Sequence, residues 1–377
     1  MKNVQEFKID QWSSYASALS VNDLRKLSTN PDLEVFNPEL KLTYGSYEGS
    51  RKLRERIAEL HSSEETRLTA DNVLVTPGSI MANYLVLDTI CGPGDHIICQ
   101  YPTFGQLYML PMFNDVEVGL WKMKEENGWM PSLDELAAMI KPNTKAIILN
   151  NPSNPTGAVL PKDFLLQVAD IADIARITIL CDEVFSPLFF TEPKPPSFVT
   201  LGHPHSVVTG SLSKAFAIPG VRLGWIVTQD AELLCKVGMT RDYTTISVSQ
   251  LDDSVAAFAL DQAVLPNLMK RNLALCRDSI SQIDEFVKRN AQRCRWVKPK
   301  GAGTAFVQIL GRHGKPVDDA AFSTKLSDEE SVCVLPGGHC FGEGTGHDFK
   351  GYVRITLGEP ELLREGLPLL ERFIQKM

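Results

Sequence analysis

Seven short apolar runs recur along the first two thirds of the chain, at 73–76, 96–101, 116–122, 146–149, 176–181, 207–210 and 223–227. Most are separated by stretches long enough for a helix. Parallel strands cannot be joined by a tight hairpin and need a crossover of about a dozen residues or more, usually a helix. This spacing therefore restricts the chain to an α/β architecture: a mainly parallel, seven-stranded large unit with helices on both faces. Helices are expected over 79–91, 106–112, 132–140 and 162–174. The third opens on Ser132 with Glu135 three residues later, the pattern of a reciprocal capping box.

Beyond about residue 260 the rhythm changes. Leu265, Leu268, Leu273, Cys276, Ile280, Ile283 and Phe286 recur at helical spacing, so one long helix is expected over 263–289. Strands near 294–297 and 304–310, a helix near 318–326, strands near 332–335 and 352–356 and a closing helix from 360 make a smaller α+β unit. The segment before about residue 42 reads as helical and strandless, and is expected to pack on that unit. The expected division is a large domain over 43–260 and a small domain made of 1–42 with 261–377. The Pro-rich loop 192–197 is a surface loop rather than a linker.

Composition narrows the function classes. Lys and Arg number 38 against 46 Asp and Glu, a net charge of −8, which counts against a nucleic-acid binder working by phosphate neutralisation. It leaves room for one basic pocket. No apolar run reaches the roughly 18–20 residues that span a bilayer, and the first ten residues lack the apolar core of a secretory signal. Eight cysteines without a Cys-x-x-Cys pair read as reduced core thiols of a cytoplasmic protein. Cys333, His339 and Cys340 form the one local cluster of zinc-type ligands, and no metal site is expected from it.

The chemistry concentrates in the stretch 211–225. Lys214 follows Ser211 and Ser213 directly after an apolar run, and Arg222 follows a Pro-Gly turn eight positions later. A lone lysine there would ordinarily run its stem along apolar surface to solvent. Two hydroxyls and an arginine change that reading. Together they can surround a phosphate, with an amine at the rim able to form a Schiff base with a phosphate-bearing aldehyde.

With these residues the chain resembles the class I/II aminotransferase superfamily of pyridoxal-phosphate enzymes, fold type I. The resemblance runs from about Tyr44 to Arg354. It implies that Lys214 carries pyridoxal 5'-phosphate, with Ser211, Ser213 and Arg222 on the phosphate. Asn154, in a Pro/Gly-rich turn after 146–149, matches the asparagine that donates to the cofactor's 3′-oxygen and borders the substrate. Asp182, at the end of 177–181, matches the carboxylate that keeps the pyridine nitrogen protonated. Glu183 beside it reads as structural. Gly78, Ser79 and Ile80 open a helix whose amides suit an anion. Phe104 fits the aromatic stacked on the cofactor ring better than Tyr101. Tyr44 matches a tyrosine that reaches the neighbouring subunit's phosphate, which implies a homodimer. Arg354, on an apolar strand, matches the arginine that binds the substrate α-carboxylate. His339, Tyr15, Tyr243 and Arg241 are weaker candidates for substrate contact.

One departure stands out: Phe185 occupies the place of a usual tyrosine, so no phenol donates there. The activity implied is an aminotransferase, acting through Schiff-base and quinonoid intermediates and moving an amino group from an amino acid to a 2-oxo acid. The alternative on the same fold is a pyridoxal-phosphate-dependent lyase, synthase or amino-acid cyclase. A cofactor-binding regulator is disfavoured, because no basic helix-turn-helix segment is evident.

Overall fold

A computed structural model describes residues 9–10, 13–342 and 348–377; most of the N-terminal stretch read for a signal lies outside them. Seven strands form one sheet in the spatial order Val73–Thr76, Gly224–Thr228, Ser206–Ser211, Thr178–Asp182, Thr144–Asn150, His96–Tyr101 and Glu117–Lys122. Gly224–Thr228 runs antiparallel to both its neighbours, and every other pair is parallel. The interior strands are buried along nearly their whole length, the exceptions being exposed Lys145 and half-buried Thr178. This is why they read as continuous apolar runs rather than alternating ones.

A second, four-stranded sheet is antiparallel throughout, in the order Leu335–Pro336, Tyr352–Thr356, Thr304–Ile309 and Cys294–Trp296. The long helix Leu265–Arg289 forms as its spacing predicts and packs on the closing helix Pro360–Lys376.

Two local expectations are corrected. The N-terminal segment does pack on the C-terminal unit, but through a strand: Ile9–Asp10 pairs in parallel with Val332–Cys333. Its one helix among the described residues is the six-residue Val21–Lys26, capped by Ser20 and Asp23. Two residues paired to a distant partner carry too little periodicity to announce a strand. The Ser132 box is half formed. Ser132 Oγ accepts from Glu135 N at 3.4 Å, but the Glu135 carboxylate accepts from Lys124 Nζ at 2.9 Å instead of turning back to the cap.

The carboxyl ends of three adjacent parallel strands converge. Asn150 is in register with Asp182, and Asp182 with Thr209. Ligands in open α/β sheets bind at such strand ends, and the four-stranded sheet contributes Arg354 to the same place.

Candidate active site

A cavity of about 540 Å³ opens at these strand ends, and Lys214, Asp182, Asn154, Arg222 and Arg354 all line it. Ser79, Ile80, Phe104 and Ser213 share its wall. Residues separated by up to 275 positions are thus brought together as the motif reading expects.

Asp182 ends strand Thr178–Asp182 and is buried. Its Oδ1 accepts from Val184 N at 3.0 Å and its Oδ2 from Asn83 Nδ2 at 3.0 Å. Thr209 Oγ1 in turn donates to Asn83 Oδ1 at 2.6 Å, which sets the orientation of that amide. Burial pushes the Asp182 carboxyl up to about 6, with the two N–H donors pulling the other way. A carboxylate in such a place gains from a cationic N–H partner.

Lys214 follows strand Ser206–Ser211. Its Nζ donates to Ser14 Oγ at 2.6 Å and sits 5.5 Å from the centre of the Tyr15 ring. Burial brings the ammonium down to about 8; the Arg354 cation adds to the fall, the Asp182 carboxylate opposes it, and Arg222 contributes further. An amine poised there is neutral often enough near neutral pH to act as nucleophile or base.

Arg354 lies on strand Tyr352–Thr356, paired across to Phe306 and Leu335. Its Nη1 donates to Asn154 Oδ1 at 3.1 Å, and its guanidinium stands 5.6 Å from the Phe341 ring centre. Burial lowers it to about 10, still a cation at neutral pH. The bond to Asn154 commits the amide oxygen to the arginine and leaves the Asn154 amide nitrogen as donor. Asn150 Oδ1 accepts from Asn154 N at 2.7 Å, and Asn150 Nδ2 donates to Asp182 O at 3.0 Å, so the turn is tied to the sheet.

The opposite end of the cavity suits an anion. Helix Ser79–Ile90 starts at Gly78, whose φ of 84° is open to glycine but strained for other residues, and no side chain caps it. The first amides of the helix are thereby left to donate to a ligand. A Cβ on Gly78 would stand 2.8 Å from Arg222 Nη2, so the glycine also lets the guanidinium lie across the helix start. Arg222 Nη1 donates to Pro219 O at 2.9 Å and approaches Ser213 Oγ at 3.4 Å. Uncapped amides, hydroxyls and a guanidinium at one end, with a low-pKa amine and a buried carboxylate further in, form a donor set that fits pyridoxal phosphate.

Some expected residues sit elsewhere. Ser211 is buried with its Oγ accepting from Ser213 N at 3.1 Å, and it does not line the cavity. Tyr44 is 77% exposed and away from Lys214 in this chain. Tyr101 is a core residue whose hydroxyl donates to Asp348 at 3.2 Å. Arg241 is buried, donating to the carbonyls of Val75 and Ile246, and Tyr243 is exposed; neither lines the cavity. Glu183 is structural, accepting from Ser197 Oγ and Phe198 N at 2.7 Å each. Phe185 is buried and lines the cavity, where its ring offers no donor.

The motif reading did not anticipate Asn83, Thr209 and Asn150 as supports, nor Ser13 and Ser14 in the cavity wall. Asn83 left one trace: a lone amide inside the otherwise apolar stretch 80–87.

The chain is similar to known aminotransferases. The family model described as aminotransferase class I and II matches residues 18–369. Nicotianamine aminotransferase 1 of Oryza sativa subsp. japonica is 28% identical over 325 residues, covering 82% of this chain and 63% of that protein. Tyrosine aminotransferase of Mus musculus is 27% identical over 368 residues, covering 92% and 78%. A crystal structure of a PLP-dependent aminotransferase from Streptococcus suis 89-1591 superposes with a TM-score of 0.88 at 32% identity, covering 98% of this chain and 94% of that one.

Proposed function

The chain belongs to the class I and II aminotransferase family, and on that premise we propose that its cavity moves the amino group of an amino acid to a 2-oxo acid. The observation that carries the reading is the pairing of a low-pKa amine, Lys214, with a buried carboxylate, Asp182, in one cavity that also holds Arg222 and Arg354.

Pyridoxal phosphate, when bound, supplies the electron sink that makes the Cα–H of an amino acid acidic. The residues of the chain do the rest. Ser79, Ser213, Arg222 and the first amides of helix Ser79–Ile90 would hold the phosphate, and Phe104 would cover the ring. Asp182, oriented by Asn83, would hold a proton on the ring nitrogen by charge pairing. Arg354 binds the substrate carboxylate through its planar fork, and Asn154 fixes that fork from the side. Lys214 would take the Cα proton as general base and, as the ammonium, give it to the cofactor carbon that bears the transferred nitrogen. Asp182, Asn154 and Arg354 are buried, which keeps water from them and strengthens their interactions.

In this reading the chain works as a homodimer. Leu42, Tyr44, Tyr47, Met239, Tyr243, Ile246 and Leu251 are exposed. Their two stretches are tied together where Gln250 Nε2 donates to the carbonyls of Lys41 and Thr43. Such apolar exposure suits a second copy, across which Tyr44 would reach the neighbouring phosphate site. The division into 43–260 and 1–42 with 261–377 is supported by the separation of the seven-stranded sheet from the four-stranded one and by the pairing of Ile9–Asp10 with Val332–Cys333. A cytoplasmic setting fits the burial of Cys99, Cys181, Cys276, Cys294 and Cys333 as separate core thiols.

The test is stoichiometric. An amino acid given alone to the loaded chain should yield about one equivalent of 2-oxo acid per site and then stop, and a second 2-oxo acid should restore turnover, the signature of a two-stage exchange. Sustained turnover on an amino acid alone, or a cyclised product, would move the chain to the lyases or cyclases.

A further inference from the structure

Ser13, Ser14 and Tyr15 line the cavity from the N-terminal side, Ser14 standing 200 positions from Lys214 in sequence. Two hydrogen bonds seat this segment on the four-stranded sheet and the turn after it. Ser17 N donates to Gly358 O at 3.0 Å, and Ser13 Oγ donates to Thr356 Oγ1 at 3.3 Å. The seat leaves no room for side chains. A Cβ on Gly358 would stand 2.2 Å from Ala16 Cα, and a Cβ on Gly303 would stand 2.6 Å from Ser14 O. A groove made by two glycines thus fixes the backbone of 14–16, and with it the direction of the Ser14 side chain.

We propose that Ser14 is a positioning residue for the reaction: its hydroxyl, held by this groove, grips Lys214 Nζ and aims the amine into the cavity. The inference rests on reading Lys214 as the cofactor-bearing amine. Ser14 is 5% exposed, so water cannot readily take over the contact. A hydroxyl serves both forms of the amine. Its oxygen accepts from the ammonium, and its O–H donates to the lone pair of the neutral form. The ammonium gains more, because hydrogen bonds to a charged group are the stronger kind. Among the described residues, the other groups facing Nζ act through charge or a ring. Arg354 on strand Tyr352–Thr356 and Arg222 after the turn Pro219–Val221 oppose the ammonium, Asp182 on strand Thr178–Asp182 favours it, and the Tyr15 ring lies alongside. Ser14 supplies the direct hydrogen bond among them, and so the direction.

The experiment measures the amine itself rather than turnover. The full-length chain freed of cofactor is acetylated competitively across a pH range, and modification of the Lys214 peptide is read by mass spectrometry. The parent should show a midpoint near 8. Ser14→Ala should lower it by about half a unit to one unit, the margin by which a hydrogen bond to the ammonium exceeds one to the neutral amine. Ser14→Thr should restore it, and Ser13→Ala, which loses only the contact to Thr356, should leave it in place. An unmoved midpoint in Ser14→Ala, an equal shift in Ser13→Ala, or no rescue by threonine overturns the role of the hydroxyl. Cofactor uptake by the parent is scored separately, as a visible absorption band lost in Lys214→Ala. Without that band the reading of Lys214 falls and this proposal with it; a normal band with an unmoved Ser14→Ala midpoint removes the role of Ser14 alone.

Discussion

Asn83 donates its side-chain amide to the Asp182 carboxylate at 3.0 Å, joining helix Ser79–Ile90 to the end of strand Thr178–Asp182 inside the core. The bond favours the ionised carboxylate, and ionised is the form that can pair with a ring N–H. Asn83→Ala removes a group that lowers the Asp182 pKa. The pKa therefore rises, and activity on the acid side is lost at higher pH than in the parent. The expected displacement of the acid limb of kcat/KM is about half a unit to one unit. A profile that overlays the parent's would detach Asn83 from the chemistry.

Asp182 also ties stability to pH in the cofactor-free chain. Its folded pKa is raised to about 6 from the ordinary 3.8. Between those values the folded state binds the proton more tightly than the unfolded chain. The group's contribution is therefore fully present below the unfolded value and is lost as pH rises through about 6. Asp182→Asn abolishes this loss. The variant should gain about 2–3 kcal/mol on the parent as pH rises across that window, read by denaturant unfolding of both chains. Activity should move the opposite way, falling about 100-fold or more as an electrostatic partner is removed.

Arg354 is a buried cation with a planar fork, and Asn154 holds one arm of it. Arg354→Lys keeps the charge but not the fork, and should raise KM for the amino acid with a smaller effect on kcat. Arg354→Ala should cost about 2–5 kcal/mol in kcat/KM, the usual effect of removing one partner of a buried charge pair. Steady-state kinetics on the two variants separates binding from chemistry.

Tyr44 is exposed in the single chain, and its role requires a second copy. Sedimentation should give twice the monomer mass. Tyr44→Phe should weaken pyridoxal-phosphate retention about tenfold, one hydrogen bond to an anion, while leaving that mass unchanged. Leu42→Glu combined with Tyr243→Glu should lower the mass to that of one chain, by placing charge in an apolar contact. A parent that sediments as a monomer would remove the shared-site reading.

The glycine groove makes a stability prediction of its own. A Cβ at residue 358 meets backbone, which cannot swing aside. Gly358→Ala should therefore cost about 1–3 kcal/mol, as overpacking does, and lower the melting temperature. A substitution at exposed Gly220, where no atom lies within 4 Å of an added Cβ, serves as the comparison.

Much of this molecule was legible along the chain. A strand buried on both faces needs a continuous apolar run, and the strands inside the large sheet have one, while the edge strand Glu117–Lys122 is only partly buried; the antiparallel direction of Gly224–Thr228 was not written there, because direction depends on where the chain returns. Lys214, Asp182 and Asn154 sit at strand ends, and a turn or a polar residue after an apolar run is a local signal. Asn83 and Ser14 escaped notice for the opposite reason. One is a single amide in a largely apolar helix, a weak signal without a partner named, the other a serine in an irregular segment that does not differ locally from a residue without a task.

Apolar periodicity and the turns that interrupt it were enough to settle the layers, the large sheet and the residue types offered at its edge, because burial acts on each segment separately. Which side chains meet was left to the closing of the chain. Ser14 reaches Lys214 and Asn154 reaches Arg354 only after two sheets have packed, since contacts between residues 200 positions apart are specified by the shape of the whole and not by any stretch of it.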